Sequence, residues 1–328
     1  MGGADRPLSR VTLAPRVADG ARRAGLSTCR DVLRLGELAL VERCDLFLDE
    51  ARSLLDAAAA RASPAPRTAL QLLEARAAHE LRALATGCAA LDAHLGGGLR
   101  SGSLTEAVGP AGMGKTQLCL AVAARALVDG AGRVLYVDAE RSYQPRRLLA
   151  LIGDALAARG RQAERPEELA ARVAVHQPTG WAEYAECLGE LEGELLERPA
   201  ALLVVDSVAA PVRAHFGKNE FAERASALAE QATLFKRLAE AHGVAVLVTN
   251  QVMQTGADAK AAGSIGLVHG KDDHLLSACL GNTWAHGVNT RLILQCAPTD
   301  ALGPGGRQLR VAKDASCADA VFEWAIPT

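Results

Sequence analysis

The stretch SLTEAVGPAGMGKTQLCLAVAARALV, Ser103 to Val128, decides the fold. Within it, Gly109-Pro110-Ala111-Gly112-Met113-Gly114-Lys115-Thr116 fits the phosphate-loop pattern G-x-x-x-x-G-K-[ST] at every defined position. SLTEAV reads as a short strand entering the loop and TQLCLAVAARALV as a helix leaving it, the context the motif requires. The residue types follow from the chemistry of a polyphosphate, which needs many donors close together. Glycines let backbone N–H groups approach without a Cβ in the way. The helix that follows turns its positive end toward the phosphates. Lys115 is placed to reach the β- and γ-phosphates of ATP, and the Thr116 hydroxyl to hold Mg²⁺.

From residue 103 onward, apolar β-type runs alternate with helical segments. The runs are LTEAV, VLYVD (134–138), VAVH (173–176), LLVVD (202–206), VAVLVT (244–249), RLILQ (291–295), QLRVA (308–312) and VFEWA (321–325). Helical segments are expected at 116–128, 145–158, 181–196 and 219–242. Such alternation implies a mainly parallel, twisted sheet with helices on both faces, an α/β fold. The last strands come without intervening helices and are expected to extend the sheet antiparallel. In the helix 219–242, Asn219 can cap the start, Phe221, Ala225, Leu228, Ala232, Phe235 and Ala239 form one face, and Gly243 ends it.

Three strand ends carry chemistry. Asp206 closes LLVVD, where an acid beside a phosphate loop orients Mg²⁺. Glu140, just past VLYVD, stands where doubly wound sheets build their sites and can polarise an attacking water; an acid at a helix N-terminus is the other reading. Gln251 follows VAVLVTN, where an amide can sense a γ-phosphate and couple it to the next segment. That segment, 252 to about 278, is glycine-rich, lacks aromatics and shows weak periodicity, so it reads as a long loop, functional or disordered. It holds Lys260 and Lys271, and Lys218 lies in the earlier segment 211–220; these cations suggest contact with a nucleic-acid backbone.

Upstream, residues 1–61 read as several short helices. Leu13, Val17, Ala21 and Ala24 lie at helical spacing, and Ser27 or Thr28 can cap a helix after Gly25. Residues 62–85 read as a linker opening on Ala62-Ser-Pro-Ala-Pro-Arg67, and 86–328 as the core. Leu91-Asp92 and Gly96-Gly97-Gly98 suggest a helix followed by a glycine turn.

The bulk composition narrows the classes. The chain has 328 residues, 49% hydrophobic, 23% charged and 3% aromatic, with a net charge of −2. This suits a protein with a sizeable Ala/Leu/Val core and excludes a bulk polyanion binder, so a nucleic-acid site must be a local patch. The eight cysteines are scattered without a C-x-x-C pair, which argues for free thiols over zinc or a disulfide framework. His176 and His215 have no ligand-spaced partners. No apolar run approaches the roughly 18 residues of a membrane span, so no membrane partner is expected.

The set GPAGMGKTQ (109–117), VLYVDAERSYQPRRLL (134–149), LLVVDSVAAPVR (202–213), VAVLVTNQV (244–252) and LGNTWAHGVNTRLILQ (280–295) resembles the RecA-type recombinase superfamily. The last block is the most specific. In its Gly-Asn-Thr-Trp-x-His-x-x-Asn-Thr-Arg form it is closest to the eukaryotic DNA-repair recombinase paralogue B. The N-terminal helices resemble the helix-hairpin-helix-like module that precedes some recombinase cores.

The resemblance implies a RecA-like P-loop NTPase core behind a small all-helical domain, with ATP and Mg²⁺ as cofactors. Lys115, Thr116, Glu140, Asp206 and Gln251 fall on the family's nucleotide-processing positions, Arg147 where an arginine stacks on adenine, and Gln117 within the matched loop block. Residues 211–224, with Arg213 and Lys218, and 252–278, with Lys260 and Lys271, match its two DNA-facing loops. Residues 62–85 lack the Phe-x-x-Ala tether of filament-forming members, and 252–278 lack an aromatic wedge. These departures favour an accessory paralogue that works in the nucleus with related paralogues, single-stranded or branched DNA and the main recombinase. A weakly hydrolysing ATP-bound scaffold and a stand-alone recombinase are the rival expectations.

Overall fold

The structure is a computed structural model that describes residues 6–63, 68–71, 83–217, 220–254, 268–269, 275–278, 284, 286–297 and 306–326. The chain divides into two compact units, residues 1–79 and 80–328.

The first unit is helical: α1 Pro15–Arg23, α2 Cys29–Leu33, α3 Glu37–Cys44 and α4 Leu48–Ala62. Val17, Ala21, Val32, Leu40, Leu54 and Ala58 build its core. Leu13 lies outside α1, contrary to the helical spacing it shares with Val17, because Pro15 occupies the first turn and starts the helix there. Thr28 is the residue that caps α2. Its hydroxyl accepts from Asp31 N at 3.2 Å and Asp31 accepts from Thr28 N at 2.8 Å, a capping box.

Among the described residues, the second unit opens on a two-residue strand, β1 Ala83–Leu84, inside the stretch expected to be a linker. It pairs antiparallel with β2 Leu99–Arg100 across α5 Ala89–His94 and the glycine turn 96–98. Gly98 cannot be replaced there, since a Cβ would stand 2.2 Å from Leu84 O.

All eight apolar runs become strands of one sheet. They are β3 Leu104–Val108, β4 Arg133–Asp138, β5 Val173–His176, β6 Ala200–Asp206, β7 Ala245–Asn250, β11 Thr290–Cys296, β12 Arg307–Lys313 and β13 Ala320–Glu323, in the order β13-β12-β11-β3-β7-β6-β4-β5. The six from β11 to β5 are parallel, and β12 and β13 extend the sheet antiparallel. β13 stops at Glu323, short of the expected Ala325.

The sheet is buried on both faces because successive residues point to opposite sides. Tyr136, Val204 and Leu247 join Leu118, Leu127 and Ile152 on the face covered by α6 Lys115–Val128 and α7 Pro145–Ala158. Leu135, Val137, Val205 and Val246 join Tyr184, Leu191, Phe235 and Leu238 on the opposite face. With α8 Pro166–Ala170 between α7 and β5, that second face is covered by α9 Gly180–Glu197 and α11 Phe221–His242.

Two stretches read as loops contain regular structure. Residues 209–215, at the start of the first loop, form α10. Residues 252–278 contribute β8 Val252–Gln254, β9 Val268–His269 and β10 Leu275–Ala278, a small antiparallel sheet. The expected cap Asn219 lies outside the described residues. Ala225 is exposed, Leu228, Ala232, Phe235 and Ala239 are buried, the Phe221 side chain lies outside the described ones, and Gly243 ends the helix with φ 64°.

Candidate functional site

β3 delivers the phosphate loop from the middle of the sheet, and the C-terminal ends of β4, β6 and β7 lie on the same edge. That edge is where open parallel sheets bind ligands. Gly109 is fixed by its neighbour: a Cβ there would stand 2.2 Å from Leu294 O of β11. Gly112 is the opposite case. It has φ +78° and nothing within 4 Å of an added Cβ, so the middle of the loop borders open space. Ala111 and Gly112 are exposed, while Met113 is buried against Cys296. Lys115 Nζ donates to the carbonyls of Gly109 and Pro110 at 2.8 and 2.9 Å, which holds its charge over the loop.

Asp206 is the hub. One carboxylate oxygen accepts from Thr116 Oγ1 at 2.7 Å and Tyr136 OH at 3.0 Å, with Ser142 Oγ at 3.5 Å; the other accepts from Thr249 Oγ1. Burial, at 2% exposure, pushes its carboxyl up from the ordinary range. The Thr249, Thr116 and Tyr136 hydroxyls oppose the rise, and the Glu140 charge adds to it. A buried carboxylate bonded by hydroxyls, one of them the loop's own Thr116, is a donor set that fits Mg²⁺. The open, N–H-rich loop with Lys115 beside it fits a polyphosphate.

Glu140 sits in a turn, five residues ahead of α7, and not at a helix N-terminus. Its Oε1 accepts from Gln251 Nε2 at 2.7 Å and from Ser207 Oγ. The turn is fixed from below. Buried Asp138 accepts from Ser142 N at 2.9 Å, Tyr143 N at 3.1 Å and Gln177 Nε2 at 2.9 Å, while Glu140 N bonds Asp206 O at 3.2 Å. Thus the tips of β4, β6 and β7, which carry Glu140, Asp206 and Gln251, converge beside Lys115 and Thr116. Arg147 Nε donates to Gln117 Oε1 at 2.8 Å, joining α7 to the first turn of α6.

The nucleic-acid candidates are less gathered. Arg213 is exposed in the last turn of α10, and Lys218, Lys260 and Lys271 lie outside the described residues. The two histidines are engaged otherwise: His176 Nε2 meets Glu194 at 2.8 Å, and His215 stacks on Trp181 at 5.0 Å. Among the described residues no cluster of His, Cys, Asp and Glu is set to hold a metal by itself.

Sequence reasoning missed a second polar network behind the loop. Glu106, in mid-β3, accepts from Arg291 Nε at 2.6 Å, Asn250 Nδ2 at 2.7 Å and Trp284 Nε1 at 2.9 Å. The signal was present: LTEAV and RLILQ each carry a single charge, of opposite sign, in an otherwise buried run. Parallel pairing puts Glu106 opposite Arg291. Asn250 adjoins Gln251, so this network anchors the residue next to the one that touches Glu140.

Comparison with known proteins fits this geometry. The sequence model of the Rad51 family matches residues 77–303, and that of the XRCC3/RpoA-like helix-hairpin-helix domain matches residues 8–62. DNA repair protein RAD51 homolog 2 of Mus musculus is 32% identical over 340 residues, covering 98% of this chain and 95% of the relative. The Homo sapiens protein of that name is 32% identical, covering 94% and 84%. DNA repair protein XRCC3 of Bos taurus is 34% identical, covering 93% and 91%.

Proposed function

The chain belongs to the Rad51 family, and from that premise we propose that it is an ATP-binding, DNA-stimulated ATPase subunit of a homologous-recombination mediator complex. It would assist loading of the main recombinase on single-stranded DNA, beside other recombinase paralogues and in the nucleus. The names of its relatives, DNA repair proteins all, support that setting. The block 280–295 favours the paralogue B kind. A helical domain of residues 1–61 and a linker to about 85 would precede the catalytic core.

In this reading the loop N–H groups and Lys115 bind the phosphates, Thr116 and Asp206 hold Mg²⁺, and Arg147 with Gln117 borders the base. Bound Mg²⁺ would neutralise charge on the phosphates. Glu140 would orient the attacking water and accept its proton. The observation that carries the proposal is the 2.7 Å bond between Gln251 and Glu140. Gln251 leads directly into residues 252–278, so whatever draws on Glu140 at the phosphates also acts on that segment. Nucleotide state and nucleic-acid contact would be coupled through one side chain. Arg213, Lys218, Lys260 and Lys271 would supply backbone contacts to DNA.

The test is ATP turnover by the full chain, with and without single-stranded DNA, beside Glu140→Gln. DNA stimulation that vanishes in the variant is the expected result. Tight ATP binding with no turnover in either condition would overturn the ATPase reading and leave a nucleotide-bound scaffold.

A further inference from the structure

The helical unit carries an open cleft of about 500 Å³, lined by Leu8, Val11, Leu13, Ala18 and Leu26 together with Arg22. That volume lies in the range of sites that take a ligand or a side chain. Leu8 and Leu26 are buried, and Leu8 N donates to Ser27 O at 2.8 Å, which ties the two sides of the cleft together. Val11, Leu13 and Ala18 are only half-buried. A Cβ added to Gly25 would meet no atom within 4 Å, so the cleft opens to solvent there.

One wall of the cleft has main-chain groups to spare. After a 3₁₀ turn at Leu8–Arg10 the chain runs extended as far as Pro15: Val11 has φ −99° and ψ 130°, and Ala14 has φ −60° and ψ 144°. Among the described residues neither Thr12 nor Leu13 makes a main-chain hydrogen bond. Alternate residues of an extended chain point the same way, and Val11 and Leu13 both line the cleft. Extended backbone with unspent N–H and C=O groups beside a side-chain pocket is the arrangement that binds a second extended chain.

Charge and lining choose the ligand. Seven arginines and two aspartates lie between residues 6 and 34, which favours an acidic one. Arg22 donates to Asp19 at 2.7 Å, yet its side chain is 77% exposed, and a guanidinium has five donors, enough for a second carboxylate. Nucleic-acid bases are held largely by stacking on aromatic rings, and this lining has none. An apolar side chain of a peptide suits it.

We infer that the cleft docks an extended, acidic segment of a partner protein. The segment's backbone pairs with Val11–Ala14, one of its apolar side chains enters between Leu13 and Leu26, and a flanking carboxylate meets Arg22. This surface is independent of the nucleotide site and of any activity there.

The test is the methyl spectrum of the full chain with labelled Leu and Val, titrated with the peptide Ac-Glu-Asp-Val-Phe-Val-Asp-Glu-NH₂. Shifts of the Val11, Leu13 and Leu26 methyls are expected, assigned by single substitutions. The same peptide with Lys for each acid, or Ala for Phe, should leave them in place. Arg22→Glu should weaken the acidic peptide about fivefold, the worth of an exposed ion pair. Leu13→Gln should abolish binding; should it fail to fold, the exposed Arg22→Glu carries the test. Absence of shifts with the acidic peptide, or equal shifts with the Lys peptide, would overturn the inference. Shifts of these methyls by oligothymidylate would make the cleft a nucleic-acid site, and shifts on raising the protein's own concentration would make its occupant a second copy; either overturns the peptide assignment.

Discussion

Glu106 and Arg291 meet at 2.6 Å in the centre of the sheet, with side chains 0% and 1% exposed. They sit opposite each other on parallel neighbours β3 and β11, directly beneath the phosphate loop. Desolvating two charges is expensive, and removing one partner leaves the other buried and uncompensated. Arg291→Leu is expected to destabilise the core by about 3–5 kcal/mol. Glu106→Leu with Arg291→Leu should recover only part of that loss, since Asn250 Nδ2 and Trp284 Nε1 then lose their buried acceptor. Urea melts of the two single variants and the pair, closed as a double-mutant cycle, measure the coupling. Additive losses would show that the pair does not act as a unit.

Asp314 should make the core acid-sensitive. Burial opposes its ionisation. Hydrogen bonds from Thr290 Oγ1, Ser316 N, Arg100 and Ser316 Oγ outweigh burial and hold the carboxyl well below its ordinary range. A carboxyl depressed in the folded state contributes stability that is fully present above its unfolded value, about 3.9. That contribution is lost as pH falls through the lower folded value. Asp314→Asn should be less stable at pH 7, and its stability should fall less steeply than the parent's below about pH 4. Asp31, held to about 2 mainly by the backbone N–H groups of Thr28 and Ser27, leaves a residual slope in both proteins. Equal slopes in chemical melts across that range would contradict the assignment.

Two glycines of one loop should respond differently to the same methyl. Gly109→Ala forces a Cβ to 2.2 Å from Leu294 O, so either β11 or the loop must move. Loss of nucleotide affinity with a lowered melting temperature is expected. Gly112→Ala meets no atom within 4 Å and is disfavoured only by its φ of +78°. That strain is worth about 1–2 kcal/mol. Similar melting temperatures for the two variants would refute the distinction.

The central sheet was legible because buried parallel strands write themselves as unbroken aliphatic runs such as LLVVD and VAVLVT. The phosphate loop was legible because its donors are contiguous. Asp206, Glu140 and Gln251 could be named because each ends such a run. Short or composite features were not readable in the same way. β1 has two residues and only Leu99–Arg100 to pair with. α10 was hidden by Pro211, which the first turn of a helix tolerates. The Glu106–Arg291 bond joins residues 185 positions apart, and no local pattern reports a contact of that range. Trp324 read as the interior of a strand, whereas β13 ends before it and frees it to reach Gly114.

Gln251 should matter for coupling more than for binding. Its side chain reaches Glu140 rather than the loop, and Ser207 holds the same carboxylate oxygen from another strand tip. Gln251→Ala therefore leaves Lys115, Thr116 and Asp206 in place, and Mg·ATP affinity should stay within about threefold of the parent, under roughly 0.7 kcal/mol. Glu140 keeps one of its two anchors, so basal turnover should fall modestly. Stimulation by single-stranded DNA should drop at least tenfold, because the link from Glu140 to residues 252–278 is cut. Ser207→Ala is the matched control, since it removes an equivalent bond without touching that segment. It should lower basal and stimulated turnover by the same factor. Equal loss of stimulation in both variants would mean that Gln251 merely positions Glu140 and transmits nothing.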